Sequence, residues 1–213
     1  MRWYEAYLAI PEAERPWMRS FTVRSYDRER NVMAVDFVLH GDGGPAARWG
    51  GGPPRRCPRH GRPRPPSTPV PCPPPPIASS GDERRSPAIA TVLEALPAGT
   101  SAIVYAEVAD AAEERELPPA AGGAEVRWVR RDRGGSLVAA VRGAGADLDG
   151  VDAAWVAGEA SAVRDLRRHL VGERQLPKVV VEFSGYWRRS LTQDDAPTEE
   201  DLAWAAERAA DAS

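Results

Sequence analysis

The feature that most constrains this chain is a proline-rich stretch between residues 50 and 80. Twelve of the protein's 21 prolines lie between Pro53 and Pro76, and no Asp or Glu occurs from Gly50 to Ser80. Proline lacks a backbone N–H and has a fixed φ, so this density prevents sheet ladders and helix interiors. The stretch predicts a disordered, partly polyproline segment between folded parts of the chain, and we expect a protease to cut there first.

Three other interpretations of this segment stay open. The proline run at residues 73–76 resembles a ligand for an aromatic-groove domain. Cys57 and His60, with Cys72 further along, resemble half of a zinc site, although a closed site needs a second pair of ligands. A disulfide between Cys57 and Cys72 is the third interpretation, and a reducing cytoplasm disfavours it.

The two flanks of the segment carry different patterns. Residues 21–23 and 32–39 predict a pair of strands joined by a polar turn at 25–31. After Pro87, strands alternate with helices, which predicts a parallel, doubly wound α/β sheet. The predicted strands are 102–108, 125–129, 153–157 and 178–183, and the predicted helices are 88–96, 136–141 and 161–173, followed by a helical tail after Thr198.

Composition excludes several classes of protein. The net charge of -3 disfavours a nucleic-acid-binding protein. No apolar run approaches the length of a membrane span, and the first residues lack the apolar core of a signal peptide, so the sequence predicts a cytoplasmic protein without membrane insertion. The 213 residues have room for one or two domains.

Residues 19–49 carry the chemistry of a site for a large, flat, anionic cofactor. Arg19 offers a planar fork that suits a diphosphate. Phe21, two residues on, offers a ring for stacking, and Thr22 adds a small hydroxyl. Residues 43–47 read Gly-Gly-Pro-Ala-Ala, the pattern of a glycine turn that opens a helix with proline in its first turn, and such a helix start binds anions.

The same residues resemble the FAD-binding half of the siderophore-interacting proteins, which are NAD(P)H-dependent ferric-siderophore reductases of the ferredoxin-reductase superfamily. The resemblance rests on Arg-x-Phe-Thr-Val-Arg from Arg19 and on Val-Asp-Phe-Val-Leu-His-Gly-Asp-Gly-Gly-Pro-Ala-Ala-Arg-Trp from Val35. Two later motifs agree with it, namely Trp-Val-Ala-Gly-Glu-Ala from Trp155 and Gly-Tyr-Trp-Arg from Gly185. His40 either donates to a flavin phosphate or simply ends a strand. The FAD contacts that the resemblance implies are Arg19, Phe21, Thr22, Asp36, His40, Gly44, Pro45, Ala46 and Trp49.

A nicotinamide nucleotide is expected at the carboxyl ends of the α/β strands, where ligands of such sheets bind. Gly158 and Glu159 lie at such a strand end before a helix. An acid between Glu107 and Asp110 would suit a ribose diol and would favour NADH. For Glu107 and Glu159 the alternative is a helix-capping acid. The resemblance adds the Gly81-Asp82-Glu83 run to the NAD(P)H contacts.

Two arginines are implied contacts of the substrate. The residues from Trp128 to Arg131 match a Trp-Leu-His-Arg motif of the family, with Arg130 in place of its histidine. Arg188 ends the Gly-Tyr-Trp-Arg motif. The resemblance implies that Arg131 and Arg188 line the pocket for an anionic ferric siderophore and attract it electrostatically. The alternative is that both are solvated surface residues.

The chain departs from the family at two places. Members of the family carry additional strands ahead of the first residues here, so we expect an incomplete FAD-binding barrel or a start that lies upstream. Between residues 50 and 86 they carry further strands and a Gly-Asp-Glu-Ser/Thr-Ala-Leu-Pro-Ala-Ile motif, whereas this chain has Arg84-Arg85-Ser86 in its middle. A one-base shift converts one coding of Ser-Ala-Leu into Arg-Arg-Ser, so we hypothesise a frameshifted segment from near Gly50 to near Ser86.

The resemblance therefore implies an order of domains and a function. The order is an incomplete antiparallel FAD-binding β-barrel at 1–49, the proline- and arginine-rich segment at 50–80, an NAD(P)H-binding α/β domain at 81–190 and a helical tail at 191–213. The function is the reduction of ferric siderophores with FAD and NADPH or NADH, which releases Fe(II) and is impaired in this chain. The alternative is a non-catalytic remnant, or a flavin- or siderophore-binding protein without a working nicotinamide site. No catalytic dyad and no complete metal-ligand set stand out in the sequence.

Overall fold

The structure is a computed structural model that describes residues 6–7, 9–11, 13–16, 21–35, 86–120, 122–188, 198–199 and 203. The chain forms two compact units, one of residues 1–20 with 189–213 and the other of Phe21–Arg188. The predicted domain boundaries at residues 49, 80 and 190 lie outside the described residues, so that division stays a prediction. Cys57, His60 and Cys72 also lie outside them.

The described part of the first unit is a turn closed around Arg15. The Arg15 guanidinium donates to the Ile10 carbonyl through Nε at 3.2 Å and Nη2 at 3.0 Å. It also lies 5.6 Å from the centre of the Tyr7 ring, within the range of a cation–π contact. The Tyr7 hydroxyl donates to the Pro16 carbonyl at 3.0 Å, so the turn is closed by its own side chains.

The second unit begins with a hairpin, which confirms the predicted strand pair. Strands β1 (Val23–Asp27) and β2 (Val32–Val35) are antiparallel, with Tyr26 opposite Met33. Asp27 closes the turn because its Oδ1 accepts from the Arg30 N–H at 2.9 Å. Asn31 adopts a left-handed φ of 52°, which Asn tolerates better than most residues. The first strand therefore runs three residues into the predicted turn, to Asp27.

The rest of the second unit alternates helices and strands as predicted. Strands β3 and β4 are parallel and in continuous register, and strands β5 and β6 are also parallel. The elements in chain order are α1 (Ser86–Ala95), β3 (Ala102–Val108), β4 (Ala124–Arg130), α2 (Leu137–Arg142), β5 (Ala154–Glu159), α3 (Ala160–Arg168) and β6 (Val181–Trp187).

The described strands after α1 form two separate parallel pairs rather than one continuous sheet. Trp155 of β5 nevertheless packs against the hydrophobic core that α1 forms with β3. In the doubly wound strand order 3-2-1-4-5, the first strand lies between two such pairs. The residues that precede α1 lie outside the described part of the chain, so a single doubly wound sheet stays a prediction.

The core follows the apolar spacing of the helices. Ile89, Leu93 and Leu96 recur at helical intervals and pack on Val104 and Ala106 of β3. Every residue of β3 except Glu107 is buried, as expected for a strand of a parallel sheet that is covered on both faces. Among the described residues no helix is long and apolar enough to cross a bilayer.

Two predicted elements differ in detail from the structure. Within the predicted helix at 161–173, the α-helix ends at Arg168 and a π-helical turn follows from His169 to Glu173. The last strand begins at Val181, whereas we predicted it from residue 178. Lys178–Val180 instead form a 3₁₀ turn in which the Val180 N–H donates to the Pro177 carbonyl at 3.1 Å. Val179 is 87% exposed there, so its β-branched character did not indicate a buried strand.

Candidate functional site

Two of the predicted FAD contacts lie in the described residues. Phe21 and Thr22 come immediately before β1, and the Phe21 side chain is 46% exposed. A large apolar ring at that exposure, next to a small hydroxyl, is compatible with stacking on a flat cofactor, and the FAD contact stays a prediction. Arg24 forms an ion pair with Glu94 and so joins β1 to α1. The other predicted FAD contacts, which lie outside the described residues, are Arg19, Asp36, His40, Gly44, Pro45, Ala46 and Trp49.

Gly158 and Glu159 end β5 at its carboxyl edge, where the nicotinamide nucleotide was predicted. Gly158 has a φ of 154°, which favours glycine, and the pairing with β6 shifts register between these two residues. The Glu159 carboxylate caps α3 by accepting from the N–H groups of Ser161 at 2.9 Å and Ala162 at 3.1 Å. The capping alternative is therefore what the structure shows for Glu159, and a nucleotide contact there stays a prediction. Gly81, Asp82 and Glu83 lie outside the described residues.

Glu107 lies one residue before the carboxyl end of β3 and bonds to two other elements. Its Oε2 accepts from the Leu137 N–H at 2.8 Å, at the start of α2. Its Oε1 lies 3.4 Å from Nη1 of Arg131. Asp110 likewise caps a 3₁₀ turn by accepting from the Ala112 N–H at 2.7 Å. The capping alternative therefore also describes Glu107, and a ribose contact there stays a prediction.

Arg131 is held in a tight turn that follows β4. The Asp132 N–H donates to the Ala109 carbonyl at 3.0 Å, which ties this turn to the end of β3. The Gly134 N–H donates to the Arg131 carbonyl at 2.9 Å, with Gly134 at a φ of 74°. At Gly135 a Cβ atom would lie 2.5 Å from the Arg130 carbonyl oxygen, so only glycine fits that approach. The backbone thus fixes where Arg131 leaves the sheet.

Arg130, which replaces the histidine of the family motif, is paired with two acids. Its Nη2 lies 2.7 Å from Oδ2 of Asp132, and its Nε lies 3.9 Å from Oε1 of Glu114. The hydrogen bond from Arg130 lowers the pKa of Asp132, and the same bond raises the pKa of Arg130. Both side chains therefore stay charged at neutral pH, and the charge of Arg130 is largely matched within the protein.

Arg188 follows the last residue of β6, at the carboxyl end of the second strand pair. It is partly buried and directly follows Trp187, which is the register partner of Glu159. Arg131 and Arg188 therefore lie at the carboxyl ends of two different parallel pairs. Both positions agree with the edge at which ligands of parallel sheets bind, and their roles as substrate contacts stay predictions.

The acids that hold the two arginines at the end of β4 are not evident from the sequence. The sequence predicts a ribose contact or a helix cap for Glu107, and it predicts no role for Asp132 or Glu114. The parallel register of β3 and β4 indicates that Glu107 lies near Arg131, because Glu107 pairs with Val129, two residues before Arg131. Within the described residues no group of three or more His, Cys, Asp or Glu side chains could hold a metal ion.

Sequence models of two families match the chain in succession. The siderophore-interacting FAD-binding domain matches residues 1–53, and the siderophore-interacting protein family matches residues 77–190. The second match includes Arg84 and Arg85, and residues 54–76 lie outside both.

Individual relatives agree with these matches. An uncharacterized protein of Mycobacterium tuberculosis is 36% identical over 212 residues, covering 89% of this chain and 71% of the relative. The ferric vibriobactin reductase ViuB of Vibrio cholerae is 26% identical over 188 residues, covering 84% of this chain and 68% of that protein. The crystal structure of a siderophore utilization protein from T. fusca is similar, with a TM-score of 0.61 and 30% identity over 86% of this chain and 71% of that chain. The chain belongs to the siderophore-interacting protein family.

Proposed function

We propose that the chain is a cytoplasmic, flavin-dependent reductase that uses NADH or NADPH to reduce ferric siderophores. The observation that carries this proposal is the placement of Arg131 and Arg188 at the carboxyl ends of β4 and β6. These edges are where parallel α/β sheets bind ligands, and two cations there suit an anionic iron chelate. The match to a FAD-binding domain over residues 1–53 and the similarity to a ferric vibriobactin reductase support the same function.

FAD, when bound, would accept a hydride from the nicotinamide and supply single electrons to the iron. The Phe21 ring would stack on that cofactor, and Thr22 would add a hydroxyl contact beside it. Arg131 and Arg188 would attract and orient the anionic substrate. Hard oxygen ligands suit Fe(III) far better than Fe(II), so reduction releases the metal and no acid–base pair is required.

The segment between the two family matches would impair the activity of this chain. Residues 54–76 match neither family model, and they contain most of the proline-rich segment. In other members of the family, further strands are expected in this interval. We therefore propose weak binding of FAD and slow turnover.

A second candidate function is a siderophore- or flavin-binding protein without a working nicotinamide site. The specific observation in its favour is Glu159, whose carboxylate already accepts from the first N–H groups of α3. A nucleotide diphosphate would have to displace that carboxylate to use the same donors. This candidate predicts that the chain binds a ferric siderophore or flavin but does not oxidise NADH or NADPH.

The experiment that tests these candidates is an anaerobic assay of the purified chain with added FAD. A ferric siderophore and NADH or NADPH are supplied, and an Fe(II)-specific chelator reports the released iron. The proposed function predicts Fe(II) that requires the nucleotide, the flavin and the protein together. Binding of the siderophore or of flavin without nucleotide oxidation would favour the second candidate, and the absence of all binding and of nucleotide oxidation would contradict both candidates.

A further inference from the structure

We infer that Glu107 sets how strongly Arg131 prefers highly charged ferric chelates over neutral ones. This inference rests on the proposed function, in which Arg131 contacts the substrate. The Glu107 carboxylate lies 3.4 Å from the Arg131 guanidinium, and the Arg131 side chain remains 36% exposed. An approaching anion therefore meets a cation that already has a negative partner.

Glu107 is fixed in this place by a second bond. Its other carboxylate oxygen accepts from the Leu137 N–H at 2.8 Å, which anchors it to the start of α2. A carboxylate anchored in this way stays beside Arg131 when a ligand binds. A guanidinium has five N–H donors, so an ion pair with Glu107 does not by itself exhaust them. The ligand would add to the pair and would experience both charges.

The size of the repulsion depends on the charge of the ligand. Two unit charges 4 Å apart in water change an equilibrium constant by about fivefold. A chelate on the far side of Arg131 lies further from Glu107, and physiological salt screens the interaction over about 8 Å. The remaining effect is about 1.5- to twofold per ligand charge, or roughly three- to tenfold for a trianion. A neutral chelate experiences none of it.

The ion pair also helps to orient Arg131, and this effect acts in the opposite direction. An exposed ion pair changes an equilibrium constant by at most about fivefold, and the median is smaller. Orientation affects all ligands of Arg131 in the same way, whatever their charge. The ratio of affinities for a charged and a neutral chelate therefore isolates the electrostatic role of Glu107.

The test compares ferric enterobactin, a trianionic tris-catecholate, with ferrichrome, a neutral tris-hydroxamate. Dissociation constants are measured on the full chain by quenching of tryptophan fluorescence, which requires neither flavin nor turnover. The variant is Glu107→Gln, because the amide oxygen of Gln can still accept from the Leu137 N–H. We expect it to bind ferric enterobactin about three- to tenfold more tightly than the parent does and to change ferrichrome binding by less than about twofold. The gain should shrink at high salt.

Glu125→Gln is the matched control. It removes the same charge from an arginine-paired carboxylate, since Glu125 pairs with Arg127 near the amino end of β4. Arg131 lies six residues after Glu125, about 20 Å away along the direction of β4. Salt therefore screens the effect of the lost Glu125 charge on a ligand at Arg131. An equal change for both ligands in Glu107→Gln, or weaker binding of the trianion, would overturn the inference. A parent chain that binds neither chelate would overturn the proposed function, and the inference with it.

Discussion

Arg127 and Tyr105 face each other across the parallel pair β3–β4. The Arg127 guanidinium donates to the Tyr105 hydroxyl at 3.0 Å, and its central carbon lies 5.5 Å from the centre of the Tyr105 ring. Arg127 also pairs with Glu125 and Asp147, so one cation joins β3, β4 and the turn before β5. The cluster lies away from the carboxyl edge of the pair, and we assign it to stability rather than to binding.

This cluster predicts a loss of stability at high pH. Burial raises the pKa of Tyr105 above its usual 10.0, although Arg127 opposes that shift. A group whose pKa is raised by folding stabilises the protein below its unfolded pKa and loses that contribution as pH rises through the folded value. Stability should therefore fall above about pH 10, and Tyr105→Phe should reduce that fall. Urea unfolding between pH 8 and about 11 measures it. Tyr26→Phe, in the exposed hairpin, is the control and should keep the alkaline loss of the parent.

The contact between the hairpin and α1 predicts an acid-sensitive junction. The hydrogen bond from Arg24 lowers the pKa of Glu94 below its usual 4.5. A group whose pKa is lowered by folding stabilises the protein above its unfolded pKa and loses that contribution as pH falls through the folded value. Hydrogen exchange in β1 and β2 should therefore increase, relative to the α/β core, as pH falls below about 4.5. Glu94→Gln should show that increase already at neutral pH. If Glu29→Gln, in the exposed turn, had the same effect, the junction would not depend on this pair.

Truncation of a buried side chain of α3 should cause a large loss of stability. Leu166 is 1% exposed, and its helix lies between β5 and β6 in the chain. Leu166→Ala removes buried methylenes and leaves a cavity, so we expect a cost of about 2–5 kcal/mol in the free energy of unfolding. Arg168→Ala on the exposed face should change it by no more than about 0.5 kcal/mol. Urea titration followed by circular dichroism gives both values, and a similar cost for the two variants would contradict the assigned core.

Periodicity and burial made part of this fold predictable from the sequence. The strand from Ala102 to Val108 is a continuous apolar run with one acid, and its bounds agree with the prediction. The predicted start of the last strand was wrong, because Lys178–Val180 form a 3₁₀ turn at the surface although both valines have strand propensity. Propensity alone does not tell which side of such a run faces solvent.

The site was less predictable than the fold because its partners are distant in sequence. Glu107 and Arg131 meet through the register of β3 and β4, which the sequence does not specify. Glu159 shows the opposite problem, since an acid before a helix has the same pattern whether it caps the helix or binds a nucleotide. Capping can be distinguished from nucleotide binding only in the structure, where the carboxylate is seen to accept hydrogen bonds from particular N–H groups.

Replacement of Arg188 should change the affinity for the substrate rather than the reduction of the flavin. Arg188→Ala should raise the KM for an anionic ferric siderophore and weaken the salt dependence of that KM, because charge attraction is screened by salt. Reduction of bound flavin by NADH or NADPH should change little. Stopped-flow kinetics separates the two steps. Arg168→Ala, with a side chain 72% exposed, is the control for the loss of a positive charge. An unchanged response to the siderophore would make Arg188 a structural residue.

Release of Fe(II) from a ferric siderophore, driven by NADH or NADPH, shows whether this chain is an impaired ferric-siderophore reductase. The assay compares this chain with a chimera in which residues 54–76 are replaced by the equivalent segment of the T. fusca relative, both with saturating FAD. We expect nucleotide-dependent release by both proteins, with a much higher rate and tighter flavin binding in the chimera. Equal rates would contradict the proposed impairment. No release by either protein, while the chimera binds FAD, would contradict the assignment as a ferric-siderophore reductase.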